Sequence, residues 1–388
     1  MLVKLEKYLD IKRGPGLPSK FYSDAGSLIR LTLGNFNYPT GGFKENDSKK
    51  NIYYTGIVKD EYILKKGDLI TPLTEQAEGL LGTTAWIPEN NKYIQNGDIG
   101  LVLPFKDKLD SKFCYYLLSS TLIKKQLSSA AQQTKIRHTS PEKIKACLAP
   151  IPTIDIQKRI GTLLSSIDDQ IEENNIMVKR LQVLSHAIFN HFFSSETQEV
   201  SLVDFPYIRI LKPGITEFKG QKHYIATAEV EGEQIHYEAP LIEYETRENR
   251  ANMQPVKNSV WFAKMKRSIK HIYVSQKDEI LMYNYVFSTG FCGIKCDDIA
   301  FEYIINYFNL SYFEKEKDLL AHGATMEGVN NEDFKLFKIH LPSKERLIDF
   351  HNKTKKIYYQ ISRINQLTYQ LKCLKEKLLP LLINQQLI

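Results

Sequence analysis

The chain has 388 residues, 43% of them hydrophobic and 25% charged, with a formal net charge of +7. That is enough apolar mass for more than one core, and it excludes a disordered, collagen-like or disulfide-scaffold chain. No run reaches the roughly 18 apolar residues a membrane span needs, and the first residues carry no signal-peptide pattern. The five cysteines, Cys114, Cys147, Cys292, Cys296 and Cys373, are odd in number and scattered, which suits a reducing compartment. A cytoplasmic protein with no membrane partner is expected.

At about 150 residues per domain the length predicts two or three domains. Residues 1–150 read as a first α+β body. Ile29–Leu33 and Gly100–Leu103 are short β-rich runs, Gly67-Asp68-Leu69-Ile70 is a polar turn entering a strand, and Lys112–Leu127 is helical in pattern. Residues 1–154 hold 22 basic and 15 acidic side chains. Residues 151–195 open on Ile151-Pro152 and continue as one long helix. Its stripe, Ile160, Leu164, Ile167, Ile171, Asn174, Val178, Leu181, Ser185, Ile188 and Phe192, alternates steps of four and three, a heptad seam with a register-fixing polar residue at Asn174.

Residues 196–340 read as a second α+β body, with a strand at His271–Val274 and a helix at Phe301–Leu310. Residues 196–342 are acidic on balance (17 basic, 22 acidic), yet they contain the cluster Lys257, Lys264, Lys266, Arg267 and Lys270, with Arg247 and Arg250 upstream. A local basic patch on an acidic body suits an anion site, the alternative being a solvated charged face. Glu314-Lys315-Glu316-Lys317 reads as a solvated helix face. Residues 341–388 form the second long helix, with a seam of Ile357, Ile361, Ile364, Leu367, Leu371, Leu374, Leu378 and Leu381.

The chain repeats itself at an offset of 190 residues. Ile151-Pro152 falls on Leu341-Pro342, Gln170-Ile171 on Gln360-Ile361 and Leu184 on Leu374. Three weaker correspondences precede the helices: Gly67-Asp68-Leu69-Ile70 with Asp278-Glu279-Ile280-Leu281, Lys12-Arg13-Gly14 with Lys212-Pro213-Gly214, and Gln133-Thr134-Lys135 with Ala324-Thr325-Met326. A helix of about 35 residues is a rod of roughly 52 Å that cannot bury a narrow stripe alone. The expected architecture is therefore two α+β bodies separated by a pair of long antiparallel coiled-coil helices, related by a pseudo-twofold repeat.

Catalytic patterns are absent. There is no Gly-Lys-Ser or Gly-Lys-Thr phosphate loop and no adenine-methyltransferase signature. Cys292 and Cys296 have no second Cys/His pair at finger distance, so no metal site is expected. His186 and His191 read as rod surface or partner contact. The chain is expected to be non-catalytic and to hold no cofactor itself.

The layout resembles that of a type I restriction-modification specificity (S) subunit. The resemblance is carried by the Pro-started helix through Gln157-Lys158-Arg159-Ile160 to Ile167-Asp168-Asp169-Gln170-Ile171-Glu172, by the closing run from Leu371 to Ile383, and by the strand opened at Gly67-Asp68. It covers the whole chain, although the second helix starts Lys344-Glu345-Arg346-Leu347 and departs from the usual pattern. The resemblance implies that each body is a target-recognition domain reading half of a split double-stranded DNA sequence. The helices would set the spacing and dock two methyltransferase (M) subunits carrying S-adenosylmethionine, with motor-nuclease (R) subunits joining them. The DNA-contact candidates are Thr74, Glu75, Gln76, Gln133, Lys135, Arg137 and His138 in the first body. In the second they are Arg250, Asn252, Gln254, Lys264, Lys266, Arg267 and Tyr283. Arg, Asn and Gln suit base edges, while Lys suits phosphate. The alternative is a coiled-coil adaptor that holds two protein partners without reading DNA.

Overall fold

The computed structural model of the chain describes residues 2–38, 41–46, 50–75, 80–130, 137–235, 239–323 and 327–384. Gln76, Gln133 and Lys135, like the paired anchors Gln133–Lys135 and Ala324–Met326, lie outside the described residues. Contacts divide the chain into two compact units, Met1–Gln170 with Leu371–Ile388, and Ile171–Gln370. Each long helix contributes to both units, residues 154–170 and 371–383 to the first and residues 171–193 and 344–370 to the second, because its apolar seam continues the core of the body it adjoins.

The two units share one plan. In the first, an antiparallel sheet runs in the spatial order Leu9–Arg13, Ile99–Pro104, Leu69–Pro72, Ala85–Trp86. In the second the order is Ile208–Ile210, Phe291–Cys296, Ser259–Ala263, His271–Val274. Each unit also has a short pair just before its long helix, Leu2–Lys4 with Leu148–Pro150 and Glu199–Ser201 with Lys338–His340. The helices are α1 (Ser111–Ser119), α2 (Thr121–Ala130), α3 (Pro141–Lys145), α4 (Ile154–Phe193), α5 (Glu279–Asn284), α6 (Phe301–Phe308), α7 (Ser311–Leu320) and α8 (Lys344–Ile383). Helices α1, α2 and α4 start 190 residues before α6, α7 and α8, and α4 and α8 are both 40 residues long. The repeat therefore extends well beyond the long helices. Among the described residues, no helix is long and apolar enough to cross a membrane.

Three sequence expectations need correction. Asp278–Leu281 does not enter a strand: Glu279 begins α5, and the strand that matches Leu69–Pro72 in topology is Ser259–Ala263. The helical stretch Lys112–Leu127 is broken at Ser120, which takes an extended ψ of 153° and turns its hydroxyl back to Leu117 O (2.6 Å). On α8, Leu374 is 45% exposed and Leu367 is 46% exposed, so neither lies in the seam. The seam runs instead through Ile357, Ile361, Ile364, Thr368, Leu371, Lys375 and Leu378, which keeps the four-three alternation without a break.

Polar contacts at Thr368 and Lys375 explain that shift. In the second unit Asn174 Nδ2 donates to Thr368 Oγ1 (3.0 Å), and farther along Ser185 Oγ donates to Tyr358 OH (3.1 Å). Contact positions fall along α8 as they rise along α4, so the pairing is antiparallel. In the first unit Lys375 Nζ donates to Asp168 Oδ1 (2.6 Å), while Tyr116 OH from α1 donates to Asp168 Oδ2 (2.7 Å). Ile160, Ile167 and Ile361 are buried, and Leu164 is fully so; Ile171, Val178, Leu181 and Ile364 are half-buried.

Bodies and helices form common cores. In the first unit Ile160 and Leu164 pack with Phe113, Leu117 and Ile383. Gly161 permits this contact: a Cβ there would stand 2.8 Å from Lys112 Cβ and 2.9 Å from Phe113 N. A helical glycine costs about 1 kcal/mol relative to alanine, less than the clash would. In the second unit Phe189 and Phe193 pack with Tyr303 and Phe350.

Candidate nucleic-acid interface

The second unit gathers most of its candidate cations at one place. Strands Ser259–Ala263 and His271–Val274 form a hairpin whose connection is Lys264-Met265-Lys266-Arg267-Ser268-Ile269-Lys270. Beside it lies the turn Thr289-Gly290, which leads into the strand Phe291–Cys296. Lys264 N–H donates to Gly290 O (3.0 Å), and Thr289 N–H donates to Arg250 O (2.9 Å). The Arg250 guanidinium lies 3.7 Å from where a Gly290 Cβ would sit, and Lys270 Nζ donates to Thr227 O (2.5 Å) on the same rim. Lys264, Lys266 and Lys270 are half-buried, whereas Arg250 and Arg267 are exposed. Lys266 pairs with Glu327 (2.8 Å) and Lys264 Nζ reaches Asn331 Oδ1 (3.4 Å). The hairpin connection and the pairing of Thr289 with Arg250 thus bring several cations to one rim of a net-acidic body, the arrangement an anion site would need.

Other candidates are placed elsewhere. Asn252 is half-buried at a β-bulge in the strand Ala251–Met253, where the register against Tyr285–Ser288 shifts, and such bulges re-aim side chains. Gln254 donates to Met282 O (3.2 Å) at the α5 end of that sheet, away from Gly290. Tyr283, on α5, is 67% exposed at that same end. Lys257 sits at the opposite end of Ser259–Ala263 from Lys264, with its carbonyl accepting from Lys295 Nζ (2.5 Å). Arg247 stacks over the Tyr244 ring, 4.0 Å from its centroid.

In the first unit Thr74 and Glu75 are buried and face inward. Thr74 Oγ1 donates to Asp98 Oδ1 (3.0 Å) and lies 3.2 Å from His138 Nδ1. Glu75 Oε2 accepts the N–H groups of Leu80 and Leu81 (2.9 and 3.0 Å). Thr74 is thus tied to Asp98 and Glu75 to Leu80 and Leu81, and their strand pairs with Arg137–His138, a long-range partner. His138 itself is exposed on that two-residue strand.

The stretch Glu314–Lys317 is only partly solvated, contrary to expectation: Lys315 is exposed, but Lys317 is not. The Lys317 side chain is fully buried, its ammonium 2.6 Å from Glu314 Oε2 and donating to Ser268 O (2.7 Å). Glu314 Oε1 lies 3.0 Å from Nε2 of the buried His271. Burial pushes the Glu314 carboxyl up, but the His271 hydrogen bond and the Lys317 ammonium outweigh it and hold the group below its ordinary range. Sequence reasoning missed this strut because a Glu-x-x-Lys pair reads as surface until its neighbours are known.

Cys292 and Cys296 lie on one buried face of a single strand. Four strand residues span about 13 Å, too far for two thiolates on one ion. Burial pushes the Cys292 thiol up to about 12. Among the described residues, no group of three or more His, Cys, Asp or Glu is arranged to hold a metal ion.

A β-rich body with a four-stranded sheet of one order and a helix pair thus occurs in each unit, closed each time by part of the two long helices. The family model for the type I restriction modification DNA specificity domain matches residues 27–179. The chain is 23% identical to the type I restriction enzyme MjaX specificity subunit of Methanocaldococcus jannaschii, across 87% of this chain and 84% of that protein. It is 24% identical to the MjaVIII specificity subunit of the same organism, over 49% of this chain and 44% of the other. The crystal structure of the type I restriction-modification S subunit from M. genitalium shares the fold, with a TM-score of 0.57 at 13% identity, covering 99% and 96% of the two chains. Residues 27–179 thus match a DNA specificity domain, and the chain along most of its length is similar to specificity subunits of type I restriction enzymes.

Proposed function

We propose that the chain reads a bipartite double-stranded DNA target, one half with each unit, and that two methyltransferase (M) subunits and motor-nuclease (R) subunits assemble on it. S-adenosylmethionine belongs to the methyltransferase partners in this reading, and the whole complex works in the cytoplasm. The observation that carries it is the duplicated plan: one sheet order and one helix pair occur twice, while the surface loops on them differ. A duplicated reader with unlike loops suits two unlike half-sites, and the gap between half-sites follows from protein geometry. Leu163, Ile176, Met177, Val183 and Leu184 on α4 are all more than a third exposed, and they supply apolar surface to which methyltransferase subunits would dock.

The test is to express the chain with its methyltransferase partner, supply S-adenosylmethionine and sequence the DNA for modified bases. An asymmetric motif with a fixed gap is expected. An active methyltransferase that leaves no such motif would instead favour the protein adaptor. Within the second unit, Lys264→Ala weakens binding to all sequences and flattens the salt dependence, whereas Asn252→Ala relaxes a single base position. Titrations of matched and mismatched duplexes at several salt concentrations separate the two effects.

A further inference from the structure

We propose that Ile269, in the basic hairpin connection of the second unit, is a specificity-determining residue that seats against a thymine methyl group in the major groove. This rests on the DNA-reading function above. Ile269 is 62% exposed between Ser268 and Lys270. A lone exposed isoleucine is ordinary. What sets this one apart is how firmly its backbone is held and what surrounds it.

The connection is fastened from several sides. Ser268 O accepts from the buried Lys317 ammonium (2.7 Å), and Arg267 N–H donates to Asp318 Oδ1 (2.8 Å). Lys266 N–H donates to Glu327 O (3.0 Å), and Ala263 N–H donates to Lys270 O (3.0 Å). Arg267 is held at a φ of +58°, a left-handed conformation unfavourable for a non-glycine residue. A loop needed only for solubility would gain nothing from burying an ammonium beneath it. Such fastening presents Ile269 without an ordering cost on binding.

The flanking chemistry selects the ligand. Lys264, Lys266, Arg267 and Lys270 flank the isoleucine in the same connection, which suits a partner that is anionic around an apolar point. A two-stranded β-ribbon fits the major groove of B-DNA, and the thymine C5 methyl is the apolar mark displayed there. Cations on either side then meet phosphates while Ile269 meets the base.

The experiment uses the full chain assembled with its methyltransferase, on duplexes carrying the methylated motif, with each thymine of the second half-site replaced in turn by deoxyuridine. One such replacement is expected to weaken binding about fourfold, the factor that one buried methylene is worth. Ile269→Ala is expected to weaken binding to the normal duplex by a similar factor, and the replacement at that position then has no further effect. The proposal is overturned if the second half-site contains no thymine, or if every replacement costs the variant as much as the native chain. It is also overturned if the variant binds unchanged. Loss of all sequence-dependent methylation by the native complex would be a separate failure, that of the DNA-reading function itself.

Discussion

Lys317→Met lowers the stability of the second unit by about 3 kcal/mol, within the range for breaking a buried ion pair from one side. Methionine fills a similar volume but leaves the Ser268 carbonyl without its donor and the Glu314 carboxylate facing only His271. The Glu314 carboxyl is held below its ordinary value of 4.5 in the folded chain. Its contribution is therefore whole above the ordinary glutamate range and is lost as pH falls through the lower folded value. Denaturant unfolding of the full chain across acidic pH should show a steep acid limb in the native protein and a shallower one in the variant. Because the strut fastens Ser268, residual methylation by the variant complex should lose discrimination in the second half-site and keep it in the first. Unchanged stability would mean that Lys317 is no strut.

Gly293→Ala is the other substitution expected to be severe. Gly293 pairs directly with Trp261 across two central strands, and an added Cβ would stand 2.4 Å from the indole Cζ3 and 2.5 Å from Cη2. The indole cannot give way. It is fully buried, its Nε1 donates to Ser259 Oγ (2.8 Å), and its face meets the Phe287 ring edge-on at 5.0 Å. Overpacking of this kind costs about 3 kcal/mol. Trp261→Phe removes the ring atoms that the methyl would strike, so the double variant should be more stable than the sum of the two losses predicts. Denaturation midpoints of the two single variants and the double variant decide this, and simple additivity would refute the clash.

The repeat was legible because the long helices obey a local rule. Alternating four and three steps from Ile160 to Phe192 announce a seam whatever the rest of the chain does. On α8 the same rule misled at Leu367 and Leu374. The true seam passes through Thr368 and Lys375, polar residues that fit there only by meeting Asn174 and Asp168, 194 and 207 residues away. The bodies hid their kinship for a related reason: a sheet order survives replacement of nearly every residue, so long as buried positions stay apolar. Asp278–Leu281 was matched to Gly67–Ile70 on composition, whereas topology pairs Leu69–Pro72 with Ser259–Ala263.

The candidate interface divides in the same way. The basic run from Lys264 to Lys270 could be read directly, since five cations of an acidic segment fall close together in it and around it. That Arg250 joins its rim, while Gln254 and Tyr283 do not, follows from hydrogen bonds between strands distant in sequence. Thr74 and Glu75 are buried on a strand that pairs with another more than 60 positions later.

By itself the sequence determined two long helices, their offset of 190 residues and the family to which such a layout points, because periodicity is a property of neighbours along the chain. Only the tertiary structure decided which polar residues close the seam, which cations share a rim and that Lys317 is a buried strut. Burial and charge pairing depend on partners that the chain brings together only when it folds.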